Sequence, residues 1–301
     1  MSYMDILKTA PQVMTPGSSA CQGCGGELVL RRVLQLAGPD TIVCVPPGCM
    51  AGSGAIGWSH DTGMKVPVHI PLLDNTASFL SGLSHMYERR GRGDVNIVAV
   101  AGDGATADCG FQSLSGAAER GEKMLYICYD NEGYMNTGYQ RSSTTTEGSR
   151  TSTTPLGSAL CGKQQPQKYI PLILAMHGVE YCATATPWNM RDMVEKIEKG
   201  LAASKRGFAY LHVFSPCPTG WSFAPDQTIE VSKRAVKSNM FPLWEKSEGK
   251  YTLNYKNADP IPVADFVKGI GKFKKLSAEQ LASIQRAADE RYATVCALAG
   301  M

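Results

Sequence analysis

Residues 96–104 read NIVAVAGDG, and residues 124–133 read MLYICYDNEG. Each stretch opens on a short, nearly continuous apolar run and ends in acidic or amide residues beside glycine. Apolar residues without alternation suit a strand buried on both faces. Between the two runs, residues 109–120 read as a helix that stops before Gly121. A strand–helix–strand unit closes with a right-handed crossover, which lays the strands parallel. Both loops then reach the same carboxyl edge of the sheet, where open α/β sheets bind their ligands.

The same rhythm continues outward. Residues 41–45 (TIVCV) read as a strand that ends at Pro46-Pro47. Residues 75–90 have helical spacing and stop before Gly91. Residues 190–204 form a helix with Glu195 and Lys199 at i,i+4, and residues 209–214 (AYLHVF) form another strand. The fold class is α/β, a doubly wound, mostly parallel sheet with helices on both faces. Two segments break the pattern. Residues 137–158 are rich in Thr, Ser and Gly, a loop long enough to be either functional or disordered. From about residue 220 the chain reads as Trp- and Pro-containing coil followed by a last helix over 277–298. We therefore expect a binding domain over 1–219 and a C-terminal extension over 220–301 that packs on the core.

Composition narrows the field. The 301 residues carry 30 Lys+Arg against 27 Asp+Glu, a net charge of +3, too balanced to mark a nucleic-acid binder. No apolar run approaches the about 20 residues of a membrane span, and residues 1–12 lack the signature of a signal peptide. The reading is a cytoplasmic protein with no membrane partner, whose ten cysteines are reduced, buried or metal-bound rather than paired.

The two carboxyl-edge loops carry the first chemistry. Glycines around Asp103 let the backbone approach a bound group. Asp103 and the Asn131 amide oxygen are hard donors, and a loop carbonyl can add a third. Such a set suits Mg²⁺ bridging to a diphosphate. The plainer alternative is a turn in which Asp103 caps the following helix. The second chemistry lies in cysteines. Cys21 and Cys24 form a CxxC in a glycine turn, Cys49 follows in PGC, and Cys217 sits in SPCPTGW. Four thiolates from three loops can ligate a [4Fe-4S] cluster, a tetrahedral zinc uses the same ligands, and CxxC alone can be a dithiol redox pair.

The pairing of GDG with DN after 25 residues resembles the signature of thiamine diphosphate enzymes. The longer string 129–143, YDNEGYMNTGYQRSS, and the PCPTGW string resemble the β subunit of the pyruvate:ferredoxin (2-oxoacid:acceptor) oxidoreductases. The resemblance implies that Asp103, Asn131 and the Gly133 carbonyl hold Mg²⁺. It places Gly102, Gly104 and Thr137 with them around thiamine diphosphate, and Asn136 as the catalytic residue beside the thiazolium and substrate. It makes Cys21, Cys24, Cys49 and Cys217 the ligands of one [4Fe-4S] cluster and the Thr/Ser-rich loop a cover over the cofactor. It also implies a partner α subunit that supplies the activating Glu, γ and ferredoxin-like δ subunits or fusions of them, and ferredoxin as acceptor. The activity implied is oxidative decarboxylation of a 2-oxoacid, pyruvate by default with coenzyme A as acyl acceptor. Oxalate, which needs no coenzyme A, and branched or aryl oxoacids are alternatives, because residues 45–57 and 69–77 depart from the pyruvate-type pattern. A non-redox thiamine decarboxylase with structural zinc is a second alternative.

The remaining motifs read as structural. Cys44, Cys109, Cys128, Cys161, Cys182 and Cys296 are packing residues. Residues 52–57 fit G-x-G-x-x-G but do not open a helix, so no dinucleotide site is expected there. His60, His69, His85, His177 and His212 are scattered, with His60 and His69 nearest the expected site.

Overall fold

The computed structural model describes residues 5, 8–52 and 63–301. Gly54, Gly57 and His60 lie outside the described residues. Among those described, eight strands form one sheet: β1 (Thr41–Cys44), β2 (Val68–His69), β3 (Asn96–Gly102), β4 (Met124–Asp130), β5 (Tyr181–Ala185), β6 (Phe208–Phe214), β7 (Trp244–Ser247) and β8 (Lys250–Leu253). Their order is β2-β1-β3-β4-β6-β5-β7-β8. The first six are parallel, and β7 and β8 add an antiparallel ribbon beside β5. In register, Cys44 of β1 faces Ala99 of β3, and Gly102 of β3 faces Tyr129 of β4.

The helices are α1 (Gly25–Ala37), α2 (Thr76–Arg89), α3 (Phe111–Glu119), α4 (Ile170–Ala175), α5 (Met190–Ala203), α6 (Pro218–Trp221), α7 (Thr228–Lys237), α8 (Val263–Val267) and α9 (Ala278–Leu298). The central strands feed two cores, because successive side chains point to opposite faces. Val98, Val100, Leu125 and Ile127 pack with Val29, Leu30 and Val33 of α1 and Met193 and Ile197 of α5. Ile97, Ala99, Tyr126 and Cys128 pack with Leu80 of α2, Leu114 of α3 and Leu174 of α4. A third core, around Trp221, Val231, Phe266 and Phe273, is built largely from the last third of the chain. Burial of both sheet faces explains the continuous apolar runs. Leu30 is fully buried, so Leu30→Ala should cost about 2–5 kcal/mol, read as a lower urea midpoint at unchanged slope.

Several sequence boundaries shift. The helix expected over 109–120 is preceded by a wide π-type turn, Gly104–Asp108, and α3 proper starts only at Phe111. Cys109 therefore precedes the helix. The coil expected after residue 220 instead holds α7, the β7–β8 ribbon and α8, while α9 starts one residue after its N-cap, Ser277. Cys182 lies within β5, a strand the periodicity did not single out. Helix α1 forms directly after the CxxC. Cys44, Cys128 and Cys182 are buried in the α2/α3-side core, where burial pushes the Cys44 thiol up to about 12. All ten cysteines are free. No described helix is long and apolar enough to cross a membrane.

Candidate cofactor and cysteine sites

Four strands that are neighbours in space, β1, β3, β4 and β6, each deliver a predicted site residue just beyond their carboxyl ends. These are Cys49, Asp103, Asn131 and Cys217. Helix α1 completes the arrangement by starting at that edge with Cys24 as its N-cap. Its backbone N–H groups and dipole favour negative charge at the cysteines.

Asp103 is fully buried and caps nothing. Its carboxylate accepts from the Asn131 backbone N–H at 3.4 Å and the Thr144 hydroxyl at 3.0 Å. The inward-facing terminal atom of the Asn131 amide lies 3.0 Å from Asp103 Oδ1 and 2.9 Å from the Gly133 carbonyl. With its nitrogen inward, the amide donates to both; with its oxygen inward, three hard oxygens crowd together. Adjacent ligands of an octahedral Mg²⁺ at 2.0–2.1 Å stand about 2.9 Å apart, so the donor set fits that ion. Burial, then the charge of Asp130, raises the Asp103 carboxyl well above the usual range. A divalent cation would reverse that preference.

Behind this triad lies a buried network. Burial raises the Asp130 carboxyl, but the His212 hydrogen bond and charge outweigh it and hold Asp130 low. Asp130 is 2.9 Å from His212 Nε2, and His212 Nδ1 is 2.7 Å from the Tyr210 hydroxyl. The Thr144 hydroxyl also lies 2.8 Å from Asp130, so its one hydrogen is shared between the two carboxylates, and Thr146 donates to Glu132 from both its backbone and hydroxyl. The Thr/Ser-rich loop is therefore anchored at Ser142, Thr144, Thr145 and Thr146, all buried. It packs behind the acidic turn rather than over the cavity, whose lining takes only Thr137 from it. Thr144, Thr146 and Glu132 belong to segments already singled out; His212 and Lys272 had no local sequence signal.

Two cavities open at this edge. One, of about 120 Å³, is lined by Gly102, Gly104, Asn131, Gly133, Asn136 and Thr137, the whole predicted cofactor set except Asp103, which lies beneath. The other, of about 230 Å³, is lined by all four predicted cysteines, Cys21, Cys24, Cys49 and Cys217. They share a wall made of Cys49, Tyr129, Asn131 and Asn136. Burial pushes the Cys24 thiol up to about 11; burial, then the neighbouring Cys24 and Cys217, pushes Cys49 up to about 12. Metal ligation would therefore displace protons. Among the described residues, no three His, Cys, Asp or Glu side chains gather into a single-ion site.

The CxxC turn depends on Gly23, which sits at φ +73, where a Cβ would lie 2.1 Å from the Pro225 carbonyl oxygen. Gly23→Ala should therefore displace Cys21 and Cys24, read as at least about fivefold faster alkylation of the half-buried Cys24 by a thiol reagent while the α/β circular dichroism persists.

Residues 72–213 match the model of the C-terminal TPP-binding domain of thiamine pyrophosphate enzymes. With the fold, that match defines a thiamine diphosphate-binding protein. The chain is 41% identical to pyruvate synthase subunit PorB of Methanothermobacter marburgensis, over 92% of this chain and 95% of that one. It is 38% identical to ketoisovalerate oxidoreductase subunit VorB of Pyrococcus furiosus, over 90% and 88%. It is 50% identical to the β subunit of NADH-dependent phenylglyoxylate dehydrogenase of Aromatoleum evansii over 91% of this chain, which spans 61% of that protein's length. The chain belongs to the β-subunit family of the 2-oxoacid oxidoreductases. Its fold is shared by the 2-oxoglutarate:ferredoxin oxidoreductase of Magnetococcus marinus, at TM-score 0.56 and 19% identity over 94% of this chain and 97% of that one.

Proposed function

We propose that this chain is the β subunit of a complex that oxidatively decarboxylates a 2-oxoacid with an apolar, aryl side chain. It would bind thiamine diphosphate with Mg²⁺ in the smaller cavity and one [4Fe-4S] cluster in the larger. The observation that carries the reading is the shared wall, which sets the two cavities back to back.

Thiamine diphosphate supplies carbanion chemistry when bound, and an iron–sulfur cluster a one-electron exit. Asp103, Asn131 and the Gly133 carbonyl would hold Mg²⁺, and Gly102 and Gly104 would leave room for the diphosphate beside the backbone. Asn136 presents its amide to the substrate at the junction of the cavities. Leu73, Tyr134 and Met135 keep the pocket apolar and limit water. Cys21, Cys24, Cys49 and Cys217 hold the cluster.

The aryl assignment rests on the 50% identity to the phenylglyoxylate relative and on the apolar lining. The apolar side chains of that lining favour an aryl group over the second carboxylate of oxalate. Residues 1–219 form the binding domain and 220–301 the extension that braces it. An α subunit completes the thiamine site, and γ and δ-type subunits carry electrons to ferredoxin or a nicotinamide acceptor. Free cysteines support a reducing, cytoplasmic setting for the complex.

The test is an anaerobic assay of the purified complex on phenylglyoxylate, pyruvate and oxalate, with and without coenzyme A. Phenylglyoxylate should exceed pyruvate in kcat/KM by at least about tenfold, and oxalate should be inert. A preference for pyruvate by that margin would overturn the aryl assignment. Iron and sulfide analysis should find about four of each bound by this subunit; stoichiometric zinc without sulfide would favour a non-redox decarboxylase.

A further inference from the structure

Three buried side chains tie the two cavities together. Cys217 is the N-cap of the four-residue helix α6, which ends at Trp221. The Trp221 indole N–H donates to the Asn131 carbonyl at 2.8 Å, and its backbone N–H to the Cys217 carbonyl at 2.9 Å. One short helix therefore spans from a cysteine of the larger cavity to the main chain of an oxygen donor of the smaller. Gly220 packs it closely, since a Cβ there would lie 2.3 Å from Met135 Sδ.

The connection is clamped. Lys272 Nζ sits 3.1 Å from the Trp221 ring centroid and donates to Glu132 Oε2 at 2.6 Å. Lys272, Glu132 and Trp221 are each at most 1% exposed. Glu132 stands between Asn131 and Gly133 in left-handed backbone at φ +58. A non-glycine residue persists there only when its surroundings over-determine it. Thr146, Gln167 and Lys272 all bind its carboxylate, and Thr145 its carbonyl.

We infer that Trp221 and Lys272 are positioning residues that couple occupancy of the four-cysteine cavity to cofactor affinity in the neighbouring one. Ligation at Cys217 fixes α6, α6 fixes the Asn131 carbonyl, and the Glu132–Lys272 pair fixes the turn that presents the Asn131 and Gly133 oxygens. Linkage makes the effect reciprocal, so bound thiamine diphosphate equally retains the cluster. The inference rests on the proposed identities of the two bound groups.

The assembled complex, purified through this chain, is stripped of thiamine diphosphate, and its Kd is measured by equilibrium dialysis at fixed Mg²⁺. Cys21→Ala empties the larger cavity without touching the brace, since Cys21 is exposed and lies outside it. Losing the cluster should raise the thiamine diphosphate Kd at least about fivefold in the otherwise native chain. In a Trp221→Phe background, the same step should change it less than about twofold. If Trp221→Phe prevents assembly, the double variant Glu132→Gln/Lys272→Met removes the clamp without leaving a lone buried charge, and the same loss of coupling is expected. A native ratio of one, or an undiminished ratio in the brace variants, would overturn the inference. Absence of iron and sulfide from the native complex would instead sink the reading beneath it.

Discussion

Replacing Asp103 by asparagine should abolish 2-oxoacid oxidation by the complex, a fall of at least about a thousandfold, and release thiamine diphosphate on gel filtration. The carboxylate is fully buried and supplies the only anionic oxygen of the triad with Asn131 and Gly133. A metal clamp of this kind is worth several kcal/mol, and about 4 kcal/mol is a thousandfold. The substitution nearly preserves shape and leaves Thr144 a partner, so the fold should survive. Iron and sulfide should fall far less than in the cysteine variants, because Asp103 lies outside the cysteine-lined cavity and only the brace through Trp221 links it to the cluster. Full activity in this variant would refute the assignment of the smaller cavity.

Cys24→Ala should produce the complementary defect. Cys24 N-caps α1 without a side-chain hydrogen bond, so its removal costs the helix little. The larger cavity should lose its iron and sulfide and the spectroscopic signal of a reduced cluster. Acceptor-linked oxidation should fall at least about a thousandfold, because the electron exit is gone. Thiamine diphosphate should still bind, more weakly if the brace through Trp221 operates. Native iron content together with native turnover would exclude Cys24 as a ligand. The two variants separate the sites: each loses its own group outright and weakens the other only through the brace.

The legibility of this protein follows from where its information is local. Strands β1, β3, β4 and β6 could be read because both faces of the sheet are buried, which leaves short apolar runs in the chain. The loop residues at their carboxyl ends followed from the crossover rule, since parallel strands present consecutive loops at one edge. The β7–β8 ribbon was less legible: only one of its strands pairs with the parallel sheet, and β8 alternates exposed and half-buried residues. The π-type turn at Gly104–Asp108 and the start of α3 at Phe111 arise from tertiary contact at the acidic turn, where the Tyr134 hydroxyl donates to the Gly104 carbonyl.

The sequence by itself determined the parallel sheet, the acidic turn and its amide partner, and the set of cysteines, because each is written in a short string whose spacing carries its chemistry. Only the tertiary structure decided that the two cavities share a wall, that the threonine-rich loop packs behind the acidic turn, and that Lys272 reaches Glu132 across 140 positions. Those features join residues distant in sequence through burial. A buried ammonium has no local pattern; its partner is chosen by the low-dielectric space the whole fold encloses.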